Sequence, residues 1–178
     1  MRRHLVRSFA PALTAAFTLM ALMTALSATA AAQDENKITN EEHGVELQKP
    51  KGWEENSGNE KAVAVFIEPK SQSQIEIVPT RLMTADVAEV FFGTFHKTLT
   101  ESTFEKIGET TDKEYGGNKA QETTYRFTHS GVTLKVYVVS FIRDTTAWLV
   151  VGYMQDKEES KIKPQFEALI NGMVFKQQ

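Results

Sequence analysis

The sequence predicts an α+β fold, a mainly antiparallel β-sheet with both faces covered, and three observations carry that prediction. Four strand-like segments follow one another at 104–115, 119–129, 132–143 and 147–154. They are joined by Gly116-Gly117-Asn118, Ser130-Gly131 and Asp144-Thr145, residues that tolerate the positive φ of tight hairpins. Such short turns force antiparallel neighbours, because a parallel pair needs a long crossover. Second, two segments, 84–100 and 157–172, repeat apolar residues at three- and four-residue intervals and predict one helix each. Third, some strands are apolar on both sides. In 132–143, Val132, Leu134, Val136 and Val138 share one face while Tyr137, Val139 and Phe141 share the other, so the sheet is sandwiched.

Taken in order, residues 1–32 read as a signal peptide. Arg2, Arg3 and Arg7 form a positive arm, an apolar stretch runs over 13–26, and Ala28, Ala30 and Ala32 present the small side chains a signal peptidase reads. The apolar stretch is shorter than the ~20 residues that span a bilayer and carries Thr14, Thr18 and Thr24, which argues against a retained anchor. Cleavage after Ala32 leaves residues 33–178 as a single domain, soluble in the periplasm or outside the cell, with membrane contact only during export. A polar arm over 33–40 ends in a short strand at Ile38, and Val45 and Leu47 alternate with Glu46 and Gln48 in a second strand. A polar loop follows over 54–60, then strands at 61–67 and 74–80. Thr84 caps the first helix, with Val87, Val90, Phe91, Phe95 and Leu99 as its apolar face and Asp86 and Glu89 near its positive end. The second helix presents Ile162, Phe166, Leu169 and Ile170, with Pro164 either kinking it or opening its second half. Gly172 ends it, and Val174 and Phe175 return to the core.

The chain has no cysteine, which excludes disulfides, soft metal sites, a thiol nucleophile and a lipid-modified cleavage point. Its net charge is −3, and loss of the three signal arginines takes it to −6. So acidic a domain is a poor match for nucleic acid, whose phosphates need clustered Lys and Arg. Residues 33–60 hold eight acids against Lys37, Lys49 and Lys51 and so carry −5 of that charge.

The order of elements and the phrase Gly44-Val45-Glu46-Leu47-Gln48-Lys49-Pro50-Lys51-Gly52-Trp53 resemble the PsbP-like superfamily. That group includes the extrinsic photosystem II subunit, Mog-type Ran-binding proteins, and DcrB-type and LpqN-type bacterial proteins. The resemblance spans nearly all of 38–175 and implies helices packed on both faces of the sheet, an α/β/α sandwich. It also implies an accessory, chaperoning or partner-binding role without a shared catalytic constellation. The chain departs from the lipoprotein members in lacking their cysteine. In physical terms the phrase is a strand ending: Pro50 cannot donate a ladder hydrogen bond, Gly52 permits the reversal, and Trp53 covers an open end of the core.

A search for chemistry finds no Gly-x-Ser-x-Gly elbow and no Ser-x-x-Lys pair. Of the three histidines beyond the signal, His43 beside Glu41 and Glu42 is the best metal-ligand suggestion, but a solvated loop position explains it better. A surface place suits His96, and His129 sits at a hairpin corner. Gly116-Gly117 is a turn without the helix and lysine of a phosphate loop, so no cofactor is called for. The reading is therefore a non-catalytic exported domain that binds a protein, with Glu41, Glu42, Glu54 and Glu55 as candidates for recruiting a basic partner. Two alternatives stay open. One is a carrier holding a small apolar ligand between sheet and helix with Phe91, Phe92, Phe95 and Trp148; the other is an exported hydrolase without a recognisable motif.

Overall fold

The segments 132–143 and 146–155, apolar on both faces, form long strands in the middle of the larger sheet. The computed structural model describes residues 36–176, so the signal segment and its cleavage at Ala32 lie outside the described residues. The chain divides into two units between Lys37 and Ile38, and the described part, apart from residues 36 and 37, belongs to the second. Its elements are β1 (Lys37–Asn40), β2 (Val45–Gln48), β3 (Glu54–Glu55), β4 (Ala64–Glu68), β5 (Ser73–Arg81), α1 (Ala88–Glu101), β6 (Phe104–Lys106), β7 (Thr111–Tyr115), β8 (Asn118–His129), β9 (Val132–Arg143), β10 (Thr146–Gln155), α2 (Glu159–Asn171) and β11 (Val174–Phe175). Among the described residues, eight strands form one sheet in the order β3-β4-β5-β10-β9-β8-β6, with β7 also on β8, and each ladder is antiparallel. A smaller sheet has the order β1-β2-β11.

A helix lies on each face, as the α+β sandwich requires. On one side Ile162, Phe166, Leu169 and Ile170 of α2 pack with Tyr137, Val139, Phe141, Trp148 and Val150. On the other, Phe91, Phe92, Phe95 and Leu99 of α1 pack on Tyr125, Val136, Val138, Leu149 and Val151. The two layers differ in depth. Four apolar side chains of α2 are fully buried, whereas α1 buries only Ala88 to that degree. Gly152 explains how α2 sits so close, because a Cβ there would stand 2.9 Å from the Phe166 ring.

Local details depart from the sequence expectations for identifiable reasons. The 104–115 segment is two strands, since Gly108 adopts φ +79° and breaks it; both pieces pair with β8. Glu54 and Glu55, expected in a loop, pair with Ile67 and Phe66. Thr84 precedes a 3-10 turn (Ala85–Val87) and makes no side-chain capping bond, so α1 starts later than predicted. Ala88 faces the core on the same side as Phe91, Phe95 and Leu99, while Val87 and Val90, expected on the buried face, are exposed; at 3.6 residues per turn Val90 lies opposite that face. Pro164 lies within α2, which runs through it. Val174 is exposed and only Phe175 packs against the core, because a strand turns alternate residues to opposite sides.

Candidate functional site

A single helix of 14 residues cannot cover the face of so broad a sheet, and beside α1 it leaves an open groove of about 890 Å³. Ala88, Phe92, Gly93 and His96 form its helical wall, and Asp112, Gln121 and Ser140 of β7, β8 and β9 contribute to its floor. At Gly93 the wall is bare backbone, and a Cβ placed there would meet nothing within 4 Å. His96, expected at the surface, is half-buried and fixes the helix to the sheet. Its Nδ1 lies 2.6 Å from the hydroxyl of fully buried Tyr125, with the rings stacked at 6.0 Å. Burial, helped by the nearby Lys106 charge, pushes the His96 pKa below its ordinary value, and burial pushes the Tyr125 hydroxyl up. Both shifts favour neutral groups, so the pair shares one hydrogen bond whose direction is set by the His96 tautomer.

The opposite face carries acids that are already satisfied. Glu122 is buried and accepts from the Tyr115 hydroxyl at 2.7 Å and from Lys163 Nζ at 3.3 Å, while Lys163 lies 4.2 Å over the Tyr137 ring. Glu159 takes the Tyr137 hydroxyl and Lys135 Nζ, the latter at 2.5 Å. The lysine and the two hydrogen bonds hold the Glu159 carboxyl below its usual range. Glu68 is driven down to about 2 by the Ser71 hydroxyl and amide, with Lys161 adding to the effect. These contacts tie α2 and neighbouring turns to the sheet, and they give each carboxylate a cation or a donor.

The sequence-derived candidates fall in several places. Glu41 and Glu42 lie in the turn after β1, and Glu54 and Glu55 lie on β3 at the edge of the other sheet; all four are exposed. Glu41 pairs with Lys176 at 2.9 Å, Glu42 with His43 at 4.0 Å, and Glu55 with Lys49 at 3.8 Å. Of the four aromatics expected to hold an apolar ligand, only Phe92 lines the groove. Phe91 and Phe95 pack beneath α1, and Trp148 is buried on the α2 side, since β10 turns it to the other face. His43 is not a solvated loop residue: it is half-buried with its ring edge-on to Trp148 at 6.1 Å. His129 stacks on Phe127 at 6.2 Å. Among the described residues no group of three or more His, Asp or Glu side chains is arranged to hold a metal ion. Sequence reasoning missed the groove, and the one available signal was a glycine in the middle of a helical repeat.

Comparison with known proteins places the fold. The family model described as "Serine/threonine kinase C-terminal domain" matches residues 37–173. No curated protein matches the sequence. Among solved structures, LpqN of Mycobacterium tuberculosis, described as involved in cell envelope biogenesis, superposes with a TM-score of 0.62 at 14% identity, over 79% of this chain and 90% of that one. Cyanobacterial PsbP (CyanoP) from Synechocystis sp. PCC 6803 superposes with 0.56 at 13% identity, over 79% and 91%. A protein from Bacteroides thetaiotaomicron gives 0.61 at 12% identity, over 80% of this chain and 49% of that one. The fold is therefore PsbP-like, as the opening phrase and element order imply.

Proposed function

The chain belongs to the family of serine/threonine kinase C-terminal domains, and from that premise we propose that it is an exported, non-catalytic module that binds a segment of a partner protein in the groove beside α1. The family is described by its position in kinases and not by a reaction of its own. The observation that carries the reading is the open groove of about 890 Å³ whose wall is bare at Gly93. Glycine inside a helix costs roughly 0.5–1 kcal/mol relative to alanine, and it allows another chain to approach the backbone closely. Because the groove is open along its side, an extended segment can lie in it without entering a closed cavity. Glu89, Asp112 and Glu114 stand beside Lys113 and Lys119 around it, a mixed rim that fixes register more than it adds affinity. The exposed acids of 41–55 add a longer-range pull on a basic partner, weakened at Glu41 and Glu55 by their lysine neighbours.

Export rests on the sequence of residues 1–32 and fits LpqN, whose description concerns the cell envelope. No helix among the described residues is long and apolar enough to cross a membrane. A second reading, a carrier of a small apolar ligand, is favoured by the groove volume, which lies within the ~300–1,000 Å³ of small-molecule sites, and by Ala88 and Phe92 in its wall.

The test places a photo-crosslinking side chain at Gly93, or at exposed Thr98 as a control, in the protein recovered from outside the cytoplasm of its native cells. Intact mass first reads whether the chain begins at Gln33. A discrete protein adduct from position 93 and none from 98 supports the proposal. A small apolar molecule retained in native mass spectrometry, without a protein adduct, supports the carrier. Equal labelling from both positions contradicts a groove-specific site.

A further inference from the structure

At the end of the large sheet, register places Thr146 of β10 directly between Arg81 of β5 and Arg143 of β9. Residues opposite one another on neighbouring strands point to the same face with Cβ atoms about 4.5–5.5 Å apart, so two arginine stems flank one hydroxyl. The row lies on the α2 side, two residues from Trp148, and borders a cleft of about 350 Å³ to which His43, Phe175 and Lys176 also contribute. Arg143 is positioned by the Phe175 ring, 4.7 Å beneath its guanidinium, and reaches Asn118 Oδ1 only at 3.4 Å. Among the described residues, no ion pair involves Arg81 or Arg143, and Arg81 makes no side-chain hydrogen bond. Lys176 differs, being held by Glu41 at 2.9 Å and Glu46 at 3.5 Å. Asp144 also lines the cleft.

Two guanidiniums without an ion-pair partner among the described residues therefore border one cleft, where Asp144 is the single carboxylate of the lining. Their planar forks match oxyanions bidentately, the threonine hydroxyl between them supplies another donor, and the aromatic floor limits water on one side. We propose that this cleft binds the oxyanion of a ligand, a phosphate monoester or a carboxylate, with Arg81 and Arg143 gripping it from two sides and Thr146 donating between them. The site stands apart from the α1 groove and does not depend on it.

The experiment titrates the exported protein with inorganic phosphate, O-phosphoserine and succinate, following the backbone amide signals of residues 143–147 at low and high salt. Saturable shifts from the phosphate compounds identify phosphate as the group recognised, and saturation by succinate alone identifies carboxylate; either supports the site. Arg81→Gln removes a side chain with no partner to lose, so its unfolding midpoint stays unchanged while affinity falls about ten-fold or more, and Arg81→Lys recovers only part of it because the fork is gone. No saturation by any of the three probes at tens of millimolar overturns the proposal. So does equal affinity in the wild type and the Arg81→Gln/Arg143→Gln double variant.

Discussion

Trp53 is 3% exposed, and its Nε1 donates to Gln165 Oε1 of α2 at 2.8 Å, so one side chain closes the core and pins a helix. Trp53→Ala removes both the packing and the donor and lowers stability by about 3–5 kcal/mol in chemical denaturation. A loss below about 1 kcal/mol contradicts the packing role. His96 works through its charge state. Burial holds its pKa below the ordinary 6.5, so as pH falls the unfolded chain takes up this proton first. The stability of the neutral His96–Tyr125 pair is therefore complete above about pH 6.5 and declines as the pH falls through 6.5 toward the lower folded value. His96→Leu flattens that part of the pH–stability curve. A variant whose curve keeps the wild-type slope shows that another group sets it.

At the level of elements, two glycines oppose each other in effect. Gly152→Ala drives a methyl to 2.9 Å from the Phe166 ring and costs about 1–3 kcal/mol as α2 is pushed from β10. Gly93→Ala meets no neighbour and raises stability by roughly 0.5–1 kcal/mol. Thermal unfolding of the two variants reads both signs, and a shared sign contradicts the packing described. The same elements show what the sequence makes legible. The 132–143 alternation names β9 and assigns its two faces, because a residue buried on either side of a sheet leaves a period of two that local sequence displays. Positions set by backbone geometry are less visible. The break at Gly108 splits one expected strand in two, and the 3-10 turn before α1 delays the start of the helix. The groove is less legible still. It arises from how little of the sheet α1 spans, a matter of tertiary placement, and only Phe92 of the four aromatics expected at a ligand lines it.

For the whole molecule, the asymmetry of the two layers is the governing fact. α2 is sealed to its face by four buried apolar side chains and by the acids and lysines around it, whereas α1 rests on half-buried phenylalanines and the His96 hydrogen bond. The proposed partner segment lies on the less occupied side, where it can add contacts without displacing a packed core. The measurement that tests this most directly is the affinity of Gly93→Trp for the protein crosslinked from position 93, with the unfolding midpoint recorded alongside. The indole fills open space in the groove, so binding weakens about ten-fold or more while the midpoint does not fall. Wild-type affinity in that folded variant contradicts the groove as the binding site.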